Sequence, residues 1–138
     1  MAILTVETTI KAPVKKVWEL WTHPKHIKNW YFASDDWHAP FAENNVCVKG
    51  FFKTVMSAKD GSASFDFEGV YTLVEKYEAI HYSIEGDGRN VIVLFLDNGT
   101  STTVTESFES ENENPIAVQK QGWQAILNNF KRYAEAQN

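Results

Sequence analysis

Between Val46 and Glu109 the chain passes through five strand-like runs joined by connections too short to hold a helix. Val46 to Ala58 leads to Asp60-Gly61, Ser64 to Val74 to a short turn near Lys76, and Ala79 to Glu85 to Gly86-Asp87-Gly88. Asn90 to Leu96 leads to Asp97-Asn98-Gly99, and Thr100 to Glu109 completes the set. A parallel pair needs a crossover of about a dozen residues or more, so these neighbours must pair antiparallel. The Asp-Gly and Asn-Gly pairs supply the positive φ angles of tight hairpin turns. A further strand comes first, where Leu4, Val6, Thr8 and Ile10 alternate with Thr5, Glu7 and Thr9.

Helices flank this block. Ala12-Pro13 ends the first strand, and Pro13 suits the first position of a helix, where its missing N–H goes unused. Val14, Val17, Trp18 and Trp21 then share one helical face, and Thr22-His23-Pro24 opens a second short helix that brings Ile27 and Trp30 inward. Tyr31 to Asn45 reads as an irregular, aromatic-rich connection. Asn114-Pro115 starts the last helix, whose stripe runs Gln119, Gly122, Trp123, Ile126, Leu127, Phe130, Tyr133. Gly122 costs such a helix ~1 kcal/mol relative to Ala, which implies close approach to the sheet or room left for a ligand. The expected order is β–α–α–β–β–β–β–β–α. This is an α+β, helix-grip architecture: a curved antiparallel sheet of six or more strands around a long C-terminal helix, with two short helices after the first strand. One domain spans residues 1–138, a length that fits a single core.

Strand periodicity sorts the faces. Phe52, Thr54 and Met56 point inward, as do Phe65, Phe67, Gly69 and Tyr71, then Ile80, Tyr82 and Ile84, then Val91, Val93 and Phe95. The last strand places Thr102, Val104, Glu106 and Phe108 inside. Glu106 is out of place there, because an inward carboxylate must be paired, hydrated or protonated. It either meets a local donor or water near the strand end and does nothing more, or anchors a ligand in a mostly apolar cavity, with Tyr71, Tyr82, Trp37 and His38 as companion polar groups.

Charge and chemistry narrow the function. A net charge of −5 argues against general nucleic-acid binding. Lys11, Lys15, Lys16, Lys25 and Lys28 face the single acid Glu19, while Glu106 to Glu113 is acidic. The lysines form either a solvated helix face or a docking surface for an acidic partner. Cys47 is alone, so neither an internal disulfide nor a thiol cluster for zinc is expected, and it reads as a small packed residue at a strand start. No signal-peptide core or membrane-length apolar run occurs, so a cytoplasmic location without membrane insertion is expected. His23 and His26 lack further nearby ligands, and Ser34-Asp35-Asp36-Trp37-His38 sets acids beside an imidazole without fixing their geometry. No phosphate loop or nucleophile elbow is present. Neither a catalytic set nor a metal or cofactor site is expected.

Several segments resemble one known family. Ile10-Lys11-Ala12-Pro13-Val14-Lys15-Lys16-Val17-Trp18, Trp21-Thr22-His23-Pro24 and Ile27-Lys28-Asn29-Trp30 look like the opening of the family named for the C-terminal domain of the Hsp90 ATPase activator. Met56 with Asp60-Gly61-Ser62, Phe65 to Tyr71 and Gly86-Asp87-Gly88-Arg89 resemble its central strands, and Asn114-Pro115 with Gly122 to Phe130 its last helix. The resemblance implies a helix-grip fold of the START-like (SRPBCC) superfamily, whose members commonly hold a hydrophobic ligand between sheet and helix. It also implies a possible chaperone partner and a stress-response setting, although the activator's additional N-terminal domain has no counterpart here. The leading expectation is a binder of a small apolar or aromatic molecule through Trp30, Trp37, Phe52, Met56, Phe67, Tyr71, Phe95, Val104, Glu106, Trp123 and Leu127. One alternative is a co-chaperone or interaction module using the lysine surface. Another is a cyclase- or hydratase-like enzyme using Glu106 with His38 or a tyrosine.

Overall fold

The computed structural model describes residues 2–137. β1 (Ile3–Ile10) is followed by α1 (Val14–Thr22) and α2 (Pro24–Ile27), then by β2 (Trp37–Asn44), β3 (Phe51–Ala58), β4 (Ser64–Glu75), β5 (Ala79–Ile84), β6 (Asn90–Asp97), β7 (Thr102–Glu109) and α3 (Ile116–Ala136). All seven strands form one antiparallel sheet in the order β1-β7-β6-β5-β4-β3-β2. The sheet curls into a half-barrel around α3. The expected helix-grip architecture is the one observed.

One segment differs from the sequence reading. Trp37 to Asn44, expected to be irregular, is the edge strand β2, paired with β3 from Trp37↔Ala58 to Asn44↔Phe52. Its register shifts between His38 and Phe41, across Ala39-Pro40. Proline has no N–H for the ladder and is tolerated at edges and bulges, so the bulge erases the two-residue alternation that marks a strand. Conversely, Val46 to Gly50 lies outside the next strand, in a loop where Lys49 adopts φ 70°. Cys47 sits exposed in that loop rather than packed. The chain also enters both main helices one residue later than expected, with Pro13 and Pro115 at the N-cap positions.

The interior follows the strand periodicity. Val6, Ile10, Ile80, Val91, Val93, Val104 and Phe108 from the sheet meet Leu127, Phe130 and Ala134 of α3 in one core, closed at one end by Val17, Trp18, Leu20, Ile27 and Trp30. Phe65, near the start of β4, is the exception on the inward face: it is 51 % exposed.

Candidate functional site

The helix does not fill the trough. A cavity of about 520 Å³ remains, roofed by Val118, Gln119, Gly122, Trp123 and Ile126 of α3. Its floor is Met56 of β3, Phe65 and Phe67 of β4 and Glu106 of β7. Trp21 of α1, Trp37 of β2 and the segment Trp30 to Ser34 close one side, while Arg89, Glu111 and Asn114 lie on the other. The volume is within the range of about 300–1,000 Å³ typical of small-molecule sites. Ala33, Ser34, Phe65, Asn114 and Val118 are exposed and form the rim. A smaller cleft of about 40 Å³ adjoins it, sharing Trp21, Tyr31 and Phe67 and adding Phe52, Tyr71 and Tyr82.

The aromatic wall is fixed by polar contacts at its back. Trp30 donates Nε1–H to the Leu20 carbonyl at 3.1 Å. Asn129 on α3 donates to the carbonyls of Trp30 at 2.8 Å and Phe32 at 3.4 Å, tying the loop to the helix. Ring contacts continue across the space. Trp21 and Trp30 lie 4.9 Å apart, Tyr31 stacks on Phe67 at 5.7 Å, and Trp123 meets Phe67 edge-on at 6.2 Å. At the far end of the smaller cleft, the Tyr71 hydroxyl donates to Asn44, whose Nδ2 donates to the Thr22 carbonyl at 2.7 Å.

Glu106 is 4 % exposed and faces the cavity from the middle of β7. Its strand neighbours across the ladders are Val6 and Val93, and among the described residues no hydrogen bond reaches its carboxyl. Loss of solvation pushes its pKa up to about 8, so the side chain is mainly a neutral acid at pH 7. Burial also raises the phenols of Tyr31 and Tyr82 well above their ordinary range, and the nearby Glu106 charge adds to both shifts. No local protein donor meets Glu106 among the described residues, while water can reach its carboxyl through the cavity.

Of the side chains expected at a ligand site, Trp30, Trp37, Met56, Phe67, Glu106 and Trp123 surround the main cavity, and Phe52 and Tyr71 line the smaller cleft. Phe95, Val104 and Leu127 line neither. They are packed where α1 and α3 rest directly on the sheet, with Phe95 against Trp18 and Trp21 and Val104 and Leu127 fully buried. Sequence reasoning missed Tyr31, Phe32, Arg89 and Glu111 as wall residues. These sit in loops or at strand ends, where no periodicity points to a face. Gly122 had given a signal: a Cβ built there meets nothing within 4 Å, so the glycine marks open space rather than close packing.

Other candidate groups lie elsewhere. His38 is exposed and lines neither space, so it is not a partner for Glu106. His26 Nδ1 is hydrogen-bonded to the Tyr133 hydroxyl at 2.7 Å. Among the described residues no group of acids, histidines or cysteines has a metal-binding arrangement, and no helix is long and apolar enough to cross a membrane.

The comparisons agree with this geometry. The family model described as Activator of Hsp90 ATPase homolog 1-like protein matches residues 11–135. The solution structure of an AHSA1-like protein from Aeromonas hydrophila is 40 % identical, covers 99 % of this chain and 94 % of its own, and superposes with a TM-score of 0.92. A solution structure from Cytophaga hutchinsonii is 50 % identical over 96 % of this chain and 92 % of that one, with a TM-score of 0.81. A crystal structure of a Nitrosomonas europaea protein shares the fold at 16 % identity, over 98 % of this chain and 95 % of that one, with a TM-score of 0.83. No curated protein matches the chain. Nearly end-to-end agreement with the family model and with two relatives of high identity makes this chain a member of the Activator of Hsp90 ATPase homolog 1-like family, built on a START-type fold.

Proposed function

We propose that this protein binds a small, largely apolar or aromatic molecule in the cavity between the sheet and α3, and that it holds this molecule rather than transforming it. The observation that supports this most is the aromatic-walled space of about 520 Å³ with one unpartnered, buried carboxyl at its floor. A solid core would have no use for Glu106, since burying an unpaired acid costs stability that an apolar residue would not. Burying about 200 Å² of ligand surface is worth ~5 kcal/mol before association costs, which corresponds to a Kd no tighter than ~0.2 mM unless polar contacts or a larger contact area add to it. Native mass spectrometry and chemical-shift mapping against a lipid and aromatic library test the reading. Shifts at Trp21, Trp123, Gly122 and Glu106 are expected. Shifts confined to the convex face of the sheet would refute it.

A second reading concerns a protein partner. Lys15, Lys25 and Lys28 are exposed on α1, on α2 and just beyond α2, and no ion pair is formed by them among the described residues. We propose this face as a docking surface for an acidic partner, Hsp90 being the one suggested by the family description. Salt-sensitive binding and an altered ATPase rate are expected, both lost on charge reversal of Lys15, Lys16 and Lys28. Binding that survives the reversal removes the reading.

A further inference from the structure

Resting on the cavity reading above, we infer that the natural ligand class is a protonated amine carried on an aromatic or apolar body, with its ammonium group seated against Glu106 and its body among Trp21, Trp30, Phe67 and Trp123.

Three observations carry this. The first is the unpartnered carboxyl of Glu106, 4 % exposed and opening onto the cavity. A neutral guest leaves it a protonated acid that makes at most an ordinary hydrogen bond, whereas a cation supplies both charge and donors to its carboxylate form. The second is the wall. Indole and phenyl faces attract a cation through the ring quadrupole, most strongly where water is excluded. The third is the charge at the opening. Arg89, the one cationic side chain lining the cavity among the described residues, is already held by Asp87, with Nε donating to Oδ2 at 2.7 Å, and by the Glu109 carbonyl at 3.2 Å. Glu111 lines the same side, accepting from the Asn114 N–H at 2.6 Å. Glu106 at the floor and Glu111 at the edge are thus the acids lining the cavity, and with Arg89 held by Asp87 a cationic guest meets no unpaired positive charge among the described residues there.

The charged and titratable groups facing Glu106 are few. Tyr31 and Tyr82 approach it from the α2–β2 connection and from β5, and both phenols stay neutral. Arg89 and Glu111 share the cavity at its edge, and α3 contributes Gln119, which is uncharged and hydrogen-bonded to the carbonyls of Glu111 and Asn114. Among the described residues no further ionisable side chain lines the cavity. An ammonium guest converts it from acid to carboxylate, and the displaced proton goes to bulk solvent, so binding and proton release are linked.

Calorimetry with three matched probes tests the inference: naphthylmethylamine, naphthylmethanol and naphthoate. The amine is expected to bind tightest, to release about one proton near neutral pH (read from buffers of different ionisation enthalpy), and to gain affinity from about pH 5 to pH 8. Glu106→Gln should weaken the amine by about thirtyfold or more while changing the alcohol little. An alcohol or naphthoate that binds as tightly as the amine, or an amine affinity flat with pH, overturns the amine assignment and leaves the cavity reading standing. If none of the three probes binds, both fall.

Discussion

The indole of Trp123 lies flat on the ring of Phe108, with centroids 3.9 Å apart and planes 8° from parallel. This single contact joins the middle of α3 to the end of β7, beside the cavity floor. Phe108 is almost fully buried, whereas Trp123 keeps one side toward the open space. Phe108→Ala should therefore cost ~3–5 kcal/mol in urea unfolding, the range for removing a buried aromatic ring. A loss below ~1 kcal/mol would mean that the helix is seated by other contacts.

Glu106 should leave a mark on the pH dependence of stability. Its pKa rises from the ordinary 4.5 to about 8 in the fold, so between those values the native state holds a proton that the unfolded chain has lost. Stability therefore falls as pH rises through this interval, by up to ~5 kcal/mol at full ionisation, and below about pH 4.5 the group contributes nothing. Glu106→Gln, which mimics the neutral acid, should be close to wild type at pH 5 and clearly more stable at pH 9. Parallel stability curves for the two proteins across that span would show that the carboxyl is solvated.

Gly122 offers a way to separate cavity from core. Its missing side chain faces empty space, so Gly122→Ala should stabilise α3 by ~0.5–1 kcal/mol. Gly122→Leu should keep the fold and abolish binding of any ligand seated between α3 and β7. Thermal melts and tryptophan fluorescence titration read the two effects separately. A Leu variant that binds as well as wild type would move the ligand elsewhere.

Gly69 is the opposite case. A Cβ there would lie 2.6 Å from the Phe52 ring and 2.6 Å from the Ser83 carbonyl oxygen, and Phe52 is its register partner on β3. Gly69→Ala should cost ~1–3 kcal/mol by forcing the ring and two strands apart, visible as a lowered midpoint in denaturant. No loss would show that the Phe52 ring can swing away.

The strands and the long helix were readable because their signals are local: alternation at Val91-Val93-Phe95, turn chemistry at Asp97-Asn98-Gly99, a three- and four-residue stripe from Gln119 to Tyr133. The position of Glu106 inside followed from the same rule. Periodicity assigns a face, however, and not a depth. Val104 and Glu106 share one face of β7, yet Val104 is sealed in the core while Glu106 borders the cavity. Tyr31 and Arg89 were invisible as wall residues because the chain folds them in through loops, and β2 was hidden by the bulge around Pro40.

β1 borders only β7, with Ile3 opposite Glu109 and Ile10 opposite Thr102. During synthesis the first strand thus has no ladder to join until β7 has left the ribosome. Contacts so distant along the chain are slow to form. The nascent protein therefore carries Leu4, Val6 and Ile10 without their strand partners until β7 is made, and final assembly waits on the closing of the long loop between the two strands.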